Sequence, residues 1–106
     1  MKKSRAFYEG FLGLKSGTEF PAKDDAQFVE YDLPDGNTLS IGISDEWKSS
    51  RDGASIAFEV DDVDAWVTKV TEHKLEVKTG PHDFPSCKMI SVRDPDGNVV
   101  TLHHKK

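Results

Sequence analysis

Leu33-Pro34-Asp35-Gly36-Asn37-Thr38-Leu39-Ser40-Ile41 returns 61 residues later as Asp94-Pro95-Asp96-Gly97-Asn98-Val99-Val100-Thr101-Leu102. Pro-Asp-Gly-Asn is common to both, and beyond each turn a Ser or Thr and then an Ile or Leu stand at the same distance. Proline presets φ, and Gly and Asn tolerate the positive φ of a tight turn, so each stretch predicts a hairpin between antiparallel strands. The same offset carries Leu14 onto Leu75, each just beyond a segment with helical spacing. The chain therefore reads as two copies of one unit, roughly residues 1–50 and 51–106 of a single domain.

Outward from the second turn, Ser55-Ile56-Ala57-Phe58-Glu59-Val60 alternates as a strand, and Asp61-Asp62 supplies cap chemistry for a helix near residues 63–73. Val63, Trp66, Val67 and Val70 form its apolar stripe, which makes Trp66 a core residue. Residues 74–78 turn the chain back, and residues 79–86, with Gly80, Pro81 and Pro85, read as a loop. Strands near 87–92 and 99–103 flank the turn. The first copy offers a helix over residues 4–12 and strands near 27–33 and 38–43. Its opening strand is missing: the equivalent of Ser55 would precede Met1, so either translation starts upstream or the chain lacks a strand that the repeat implies.

At 106 residues the chain is large enough for one core. Fourteen Lys and Arg against nineteen Asp and Glu give a net charge of −5, which argues against nucleic acid or an anionic membrane surface as partner. Mean hydropathy is −0.57, no apolar run approaches the ~20 residues of a membrane span, and no leader opens the sequence, so the expected location is the cytoplasm. Cys87 is the only cysteine, which excludes an intrachain disulfide and a multi-cysteine zinc cage.

Phe7-Tyr8-Glu9-Gly10-Phe11-Leu12-Gly13-Leu14, Ile56-Ala57-Phe58-Glu59-Val60-Asp61-Asp62-Val63-Asp64 and Asp94-Pro95-Asp96-Gly97-Asn98 resemble three motifs of the vicinal oxygen chelate superfamily, in that family's order. Glyoxalases, extradiol dioxygenases, fosfomycin resistance enzymes and bleomycin resistance proteins belong to it. The resemblance implies an α+β fold in which two βαβββ modules form a cleft, here with the first module lacking its first strand. It also implies a divalent metal in the enzymes. They place a histidine where this chain has Ser55 and a glutamate where it has Thr101; the corresponding position in the first copy is Ser40, and the remaining ligand would lie on the missing first strand. Neutral hydroxyls are poor ligands for a divalent cation, so no metal and no other cofactor is expected.

Alternation puts Val29, Tyr31, Leu33, Leu39, Ile41, Ile43, Ile56, Phe58, Val60, Ile90, Val92, Val100 and Leu102 on the faces that meet the helices. The other faces then carry small, hydroxylated and a few ionisable residues, a mixture that suits a cleft. Phe28, Glu30, Ser55, Glu59, Met89, Thr101 and His103 are the candidate ligand-binding residues there, with Trp47 after the strand at 38–43 as a stacking or interface residue. His82 falls in the loop at 79–86, and His73 at a helix end. Lys88 points away from Cys87 and leaves the thiol without a cation to activate it, so no catalytic residue is assigned.

Two functions fit. The first is a metal-free small-molecule binding protein resembling the bleomycin resistance branch, holding a planar or cationic ligand in an acidic cleft. The alternative is a metal-dependent glyoxalase, lyase or dioxygenase of the same superfamily. Open sheet edges point to a homodimer.

Overall fold

The computed structural model describes residues 1–21, 26–44, 48, 50–51 and 54–106. Two compact units, Met1–Lys48 and Ser49–Lys106, each hold one sheet and the helix packed on it. Trp47 lies outside the described residues.

In the first unit a helix, α1, begins at Lys2–Arg5 and continues as a π-helical stretch over Ala6–Phe11. Phe7, Tyr8 and Phe11 are its buried side. Three antiparallel strands follow in sequential order: β1 (Ser16–Phe20), β2 (Phe28–Asp32) and β3 (Thr38–Gly42). Val29 and Tyr31 are fully buried beneath the helix, and the rings of Tyr8 and Tyr31 stack at 6.2 Å.

The second unit runs β4 (Ser55–Glu59), α2 (Val63–Glu72), β5 (Val77–Asp83), β6 (Cys87–Arg93) and β7 (Val99–Lys105). Its sheet order is β4-β7-β6-β5, with β4 parallel to β7 and the other pairs antiparallel. Asp62 caps α2, its carboxylate accepting from Ala65 N at 3.2 Å. Ile90, Val92, Val100 and Leu102 form the core with Val63 and Val70 of the helix. Trp66 is half-buried rather than core, and carries the Lys69 ammonium 4.5 Å above its ring.

The repeat holds at the level of individual hydrogen bonds. Leu33 N donates to Asn37 O and Gly36 N to Leu33 O, as Asp94 N does to Asn98 O and Gly97 N to Asp94 O. Gly36 and Gly97 both sit at positive φ, 89° and 92°. The helix ends match as well, with Gly13 at φ 75° and Lys74, 61 residues on, at φ 54°.

Residues 77–78, read above as turn, and 79–83, read as loop, belong to β5, and β1 was not foreseen. Both are edge strands with almost no buried side chain, so neither carries the apolar alternation by which strands are read. Gly80 admits its strand to the sheet: a Cβ there would lie 3.0 Å from Met89 O, so only glycine lets β5 approach β6 so closely.

Candidate functional site

Each sheet has a face turned away from its helix, and the candidate residues stand on those faces. In the first unit Phe28 and Glu30 alternate with the buried Val29 and Tyr31, and both are half-buried. Behind them a polar clamp ties α1 to the sheet. Arg5 Nε meets Glu9 Oε2 at 2.6 Å and Arg5 Nη1 meets Glu19 Oε1 at 2.7 Å, while Tyr31 Oη donates to Glu9 Oε2 at 2.8 Å. The Arg5 guanidinium holds the Glu9 carboxyl below its ordinary range. Burial, reinforced by the Glu9 carboxylate, pushes the Tyr31 phenol up.

In the second unit the register assembles rows across four strands. Glu59 on β4 pairs with His103 on β7, His103 with Met89 on β6, and Met89 with His82 on β5. The next row is Ala57, Thr101, Ser91 and Thr79. Ser55 lies opposite Val99 in the row beyond. Of the candidates, Ser55, Glu59, Met89, Thr101 and His103 thus share one face of one sheet, and Phe28 and Glu30 share a face of the other.

Glu59 and His103 make direct contact, His103 Nδ1 to Glu59 Oε1 at 2.7 Å, and Glu59 Oε2 accepts from Lys105 N at 2.8 Å. The Lys105 amide, then His103, hold the Glu59 carboxyl below its ordinary range, so it is ionised at neutral pH. An ionised carboxylate can only accept, so His103 presents N–H to it from Nδ1. His104 Nδ1 is satisfied by Val60 O at 2.8 Å. Ser91 Oγ and Thr101 Oγ1 bond each other at 2.7 Å.

Ala57, Thr79, Ser91 and His82 of this face stand outside the candidate set. Ser91 is buried and bonded to Thr101. His82 stands on a strand, not in a loop, with Nε2 2.7 Å from Thr79 Oγ1 and its ring 5.5 Å from that of Phe84. The pairing of Met89 with His82 would have revealed it, had β5 been recognised. Cys87 is a half-buried free thiol, and Lys88 turns from it to bond Asp64 of α2 at 2.7 Å.

Among the described residues no three His, Cys, Asp or Glu side chains gather in a group that could hold a metal ion. Ser55, Ser40 and Thr101 bring hydroxyls to the positions where the family's enzymes bring imidazole or carboxylate, and Thr101 spends its hydroxyl on Ser91. Taken one by one, such hydroxyls are poorer donors for a divalent cation than imidazole or carboxylate. No described helix is long and apolar enough to cross a membrane.

The two units define an α+β protein of duplicated helix-and-sheet modules with a mixed polar face on each sheet. The chain belongs to the glyoxalase/bleomycin resistance protein/dioxygenase superfamily, whose profile matches residues 1–102. Among solved structures it resembles a glyoxalase/dioxygenase from Nostoc punctiforme, with a TM-score of 0.82 and 22% identity over 99% of this chain and 83% of that one. An antibiotic-binding protein from Streptomyces sp. CB03234 gives 0.71 and 25%, covering 99% and 86%. A lactoylglutathione lyase from Agrobacterium tumefaciens gives 0.73 and 22%, covering 97% and 84%. No curated sequence matches the chain.

Proposed function

We propose that the protein is a metal-free small-molecule binding protein, similar to the bleomycin resistance branch of its superfamily, that takes a planar or cationic ligand on its polar sheet faces. The observation that carries this reading is the replacement of ligating side chains by Ser40, Ser55 and Thr101. Those three positions offer no imidazole or carboxylate to the Lewis acid that a lyase or dioxygenase of this family uses to polarise vicinal oxygens. The antibiotic-binding neighbour supports binding as a use of this fold. The metal-dependent enzyme reading rests on the fold alone.

The ligand contacts assigned are Phe28, Glu30, Trp47, Ser55, Glu59, Met89, Thr101 and His103. Glu59 and Glu30 supply the negative charge, Phe28 and Trp47 the aromatic surface, and Met89 an adaptable apolar floor between the His103 and His82 positions. Charge pairing at the exposed Glu59 is screened by solvent, so stacking and desolvation carry most of the affinity. A single domain acting as a cytoplasmic homodimer completes the proposal; a monomer mass that stays constant with concentration in sedimentation would count against the dimer.

A thermal-shift screen of planar amines and amidines beside neutral and anionic analogues tests the binding reading. The expected result is a rise of several degrees with selected cations, reduced in Glu59→Gln and Glu30→Gln. Stabilisation by anionic analogues alone would contradict it.

A further inference from the structure

The Glu59–His103 contact leaves one ring nitrogen open. Glu59 is ionised and only accepts, so the neutral imidazole carries its proton on Nδ1 and its lone pair on Nε2. Lys105 N holds the other carboxylate oxygen at 2.8 Å, which fixes Glu59 and with it the tautomer of the ring. Among the described residues nothing bonds His103 Nε2, and the side chain is 34% exposed, so water reaches it. Two residues back along β7, Thr101 Oγ1 bonds Ser91 Oγ at 2.7 Å. That bond uses one of the pair's two hydroxyl hydrogens and leaves the second for another acceptor. A base and a hydroxyl donor therefore occupy neighbouring rows of one sheet face, about 6–7 Å apart along the strand. A water held by Nε2 at about 2.8 Å and an attack distance of about 3–3.5 Å span that gap.

We propose that Glu59 and His103 form a general-base dyad that hydrolyses aryl esters of small carboxylic acids, an activity beyond ligand binding. His103 Nε2 takes a proton from water as the water oxygen bonds to the carbonyl carbon, and the carbonyl oxygen, now negative, accepts from the Ser91 and Thr101 hydroxyl pair. The tetrahedral intermediate collapses, the bond from carbon to the aryl oxygen breaks, and the departing phenolate takes the proton from Nε2. Ester and water give carboxylic acid and phenol, and the ring returns to its starting state. Glu59 is the positioning residue, which keeps the lone pair on Nε2 and offsets the charge of the imidazolium formed in the step. One hydroxyl hydrogen is a modest stabiliser of an oxyanion, so the site suits esters with a phenol leaving group and not amides. Met89, across from His103 on β6, offers the aryl ring an apolar contact.

The probe is p-nitrophenyl acetate. The purified full-length chain should release several equivalents of p-nitrophenolate, about a hundredfold faster than an equal concentration of free imidazole. His103→Gln should lose about tenfold or more of that rate, and Cys87→Ser should keep it. Glu59→Gln separates positioning from folding. With Lys105 N holding the amide oxygen, the amide nitrogen faces Nδ1 as a donor, so the ring proton moves to Nε2 and the base is lost. Nitrogen NMR should place the lone pair on Nε2 in the parent chain and on Nδ1 in Glu59→Gln, with the backbone spectrum otherwise unchanged and hydrolysis slowed by about tenfold or more. A rate no greater than that of free imidazole would overturn the proposal, as would an undiminished rate in His103→Gln. Release that stops at one equivalent would mean an acylated side chain, and a rate lost in Cys87→Ser would mean attack by the thiol; either overturns it. So would a ring proton found on Nε2 in the parent chain.

Discussion

Ile41 and Leu102 occupy the same place in two copies of one structural unit, yet Leu102 has 0% exposure and Ile41 is half-exposed. Local sequence does not account for this, since both are branched aliphatic residues on strands that leave the same Pro-Asp-Gly-Asn turn with the same hydrogen bonds. What differs is the neighbour: β7 lies between β4 and β6, whereas β3 has β2 on one side only among the described residues. The comparison teaches that turn chemistry and alternation specify a hairpin, while burial is completed by a strand distant in sequence. It also separates two ways of fastening a sheet. The second unit relies on apolar layers from β6 and β7 beneath α2, and the first adds the Arg5, Glu9, Glu19 and Tyr31 clamp to hold a shorter sheet to its helix.

The largest effect that would sharpen this contrast comes from truncating the matched pair. Leu102→Ala should cost about 2–4 kcal/mol in chemical denaturation, and Ile41→Ala about 1 kcal/mol, because a half-open site loses less transfer energy and leaves no closed cavity. Equal costs would break the comparison.

Next comes the clamp. Glu9→Gln should destabilise the first unit by about 1 kcal/mol at neutral pH, read by hydrogen exchange in β1 and β2. Its pH dependence has a definite sign. The Glu9 pKa is lowered in the fold, so its stabilisation is present above the ordinary carboxylate range near ~4.3 and is lost as pH falls through the lowered value. The Tyr31 pKa is raised, so its contribution is full below the ordinary phenol range near ~10 and is lost as pH rises through the folded value. Glu9→Gln should flatten the acid limb.

The smallest expected effect concerns the matched helix ends. Gly13 and Lys74 both adopt positive φ, but a side chain pays there for the approach of Cβ to the backbone. Lys74→Gly should therefore raise stability, by up to about 1 kcal/mol, and Gly13→Ala lower it by a similar amount. Thermal unfolding of the two variants checks the pair.

Much of this fold could be read from residue order. The two turns, the α2 stripe with its Asp62 cap, and the alternation of β4, β6 and β7 all express local chemistry, and the assignment of Val29, Tyr31, Ile90 and Leu102 to the helix side follows from them. β1 and β5 could not be read that way. Ser16-Gly17-Thr18-Glu19-Phe20 and Val77-Lys78-Thr79-Gly80-Pro81-His82-Asp83 lie at sheet edges, bury little and carry no period, and Gly80-Pro81 signals a break. The candidate face was visible by alternation, but its pairings were not. Glu59 meets His103 across 44 residues through a parallel register, which no local pattern encodes.

The proposed metal-free binding role rests on the hydroxyls of Ser40, Ser55 and Thr101, which stand where the resemblance implies metal ligands in the superfamily's enzymes. Its most direct test is metal content: the purified chain is loaded in turn with nickel, zinc, manganese and ferrous iron, desalted, and measured by mass spectrometry. The account predicts retention below about a tenth of an equivalent for every metal. Near-stoichiometric retention of any one would contradict it, and would make Glu59, His103, Glu30 and Cys87 the first residues to replace.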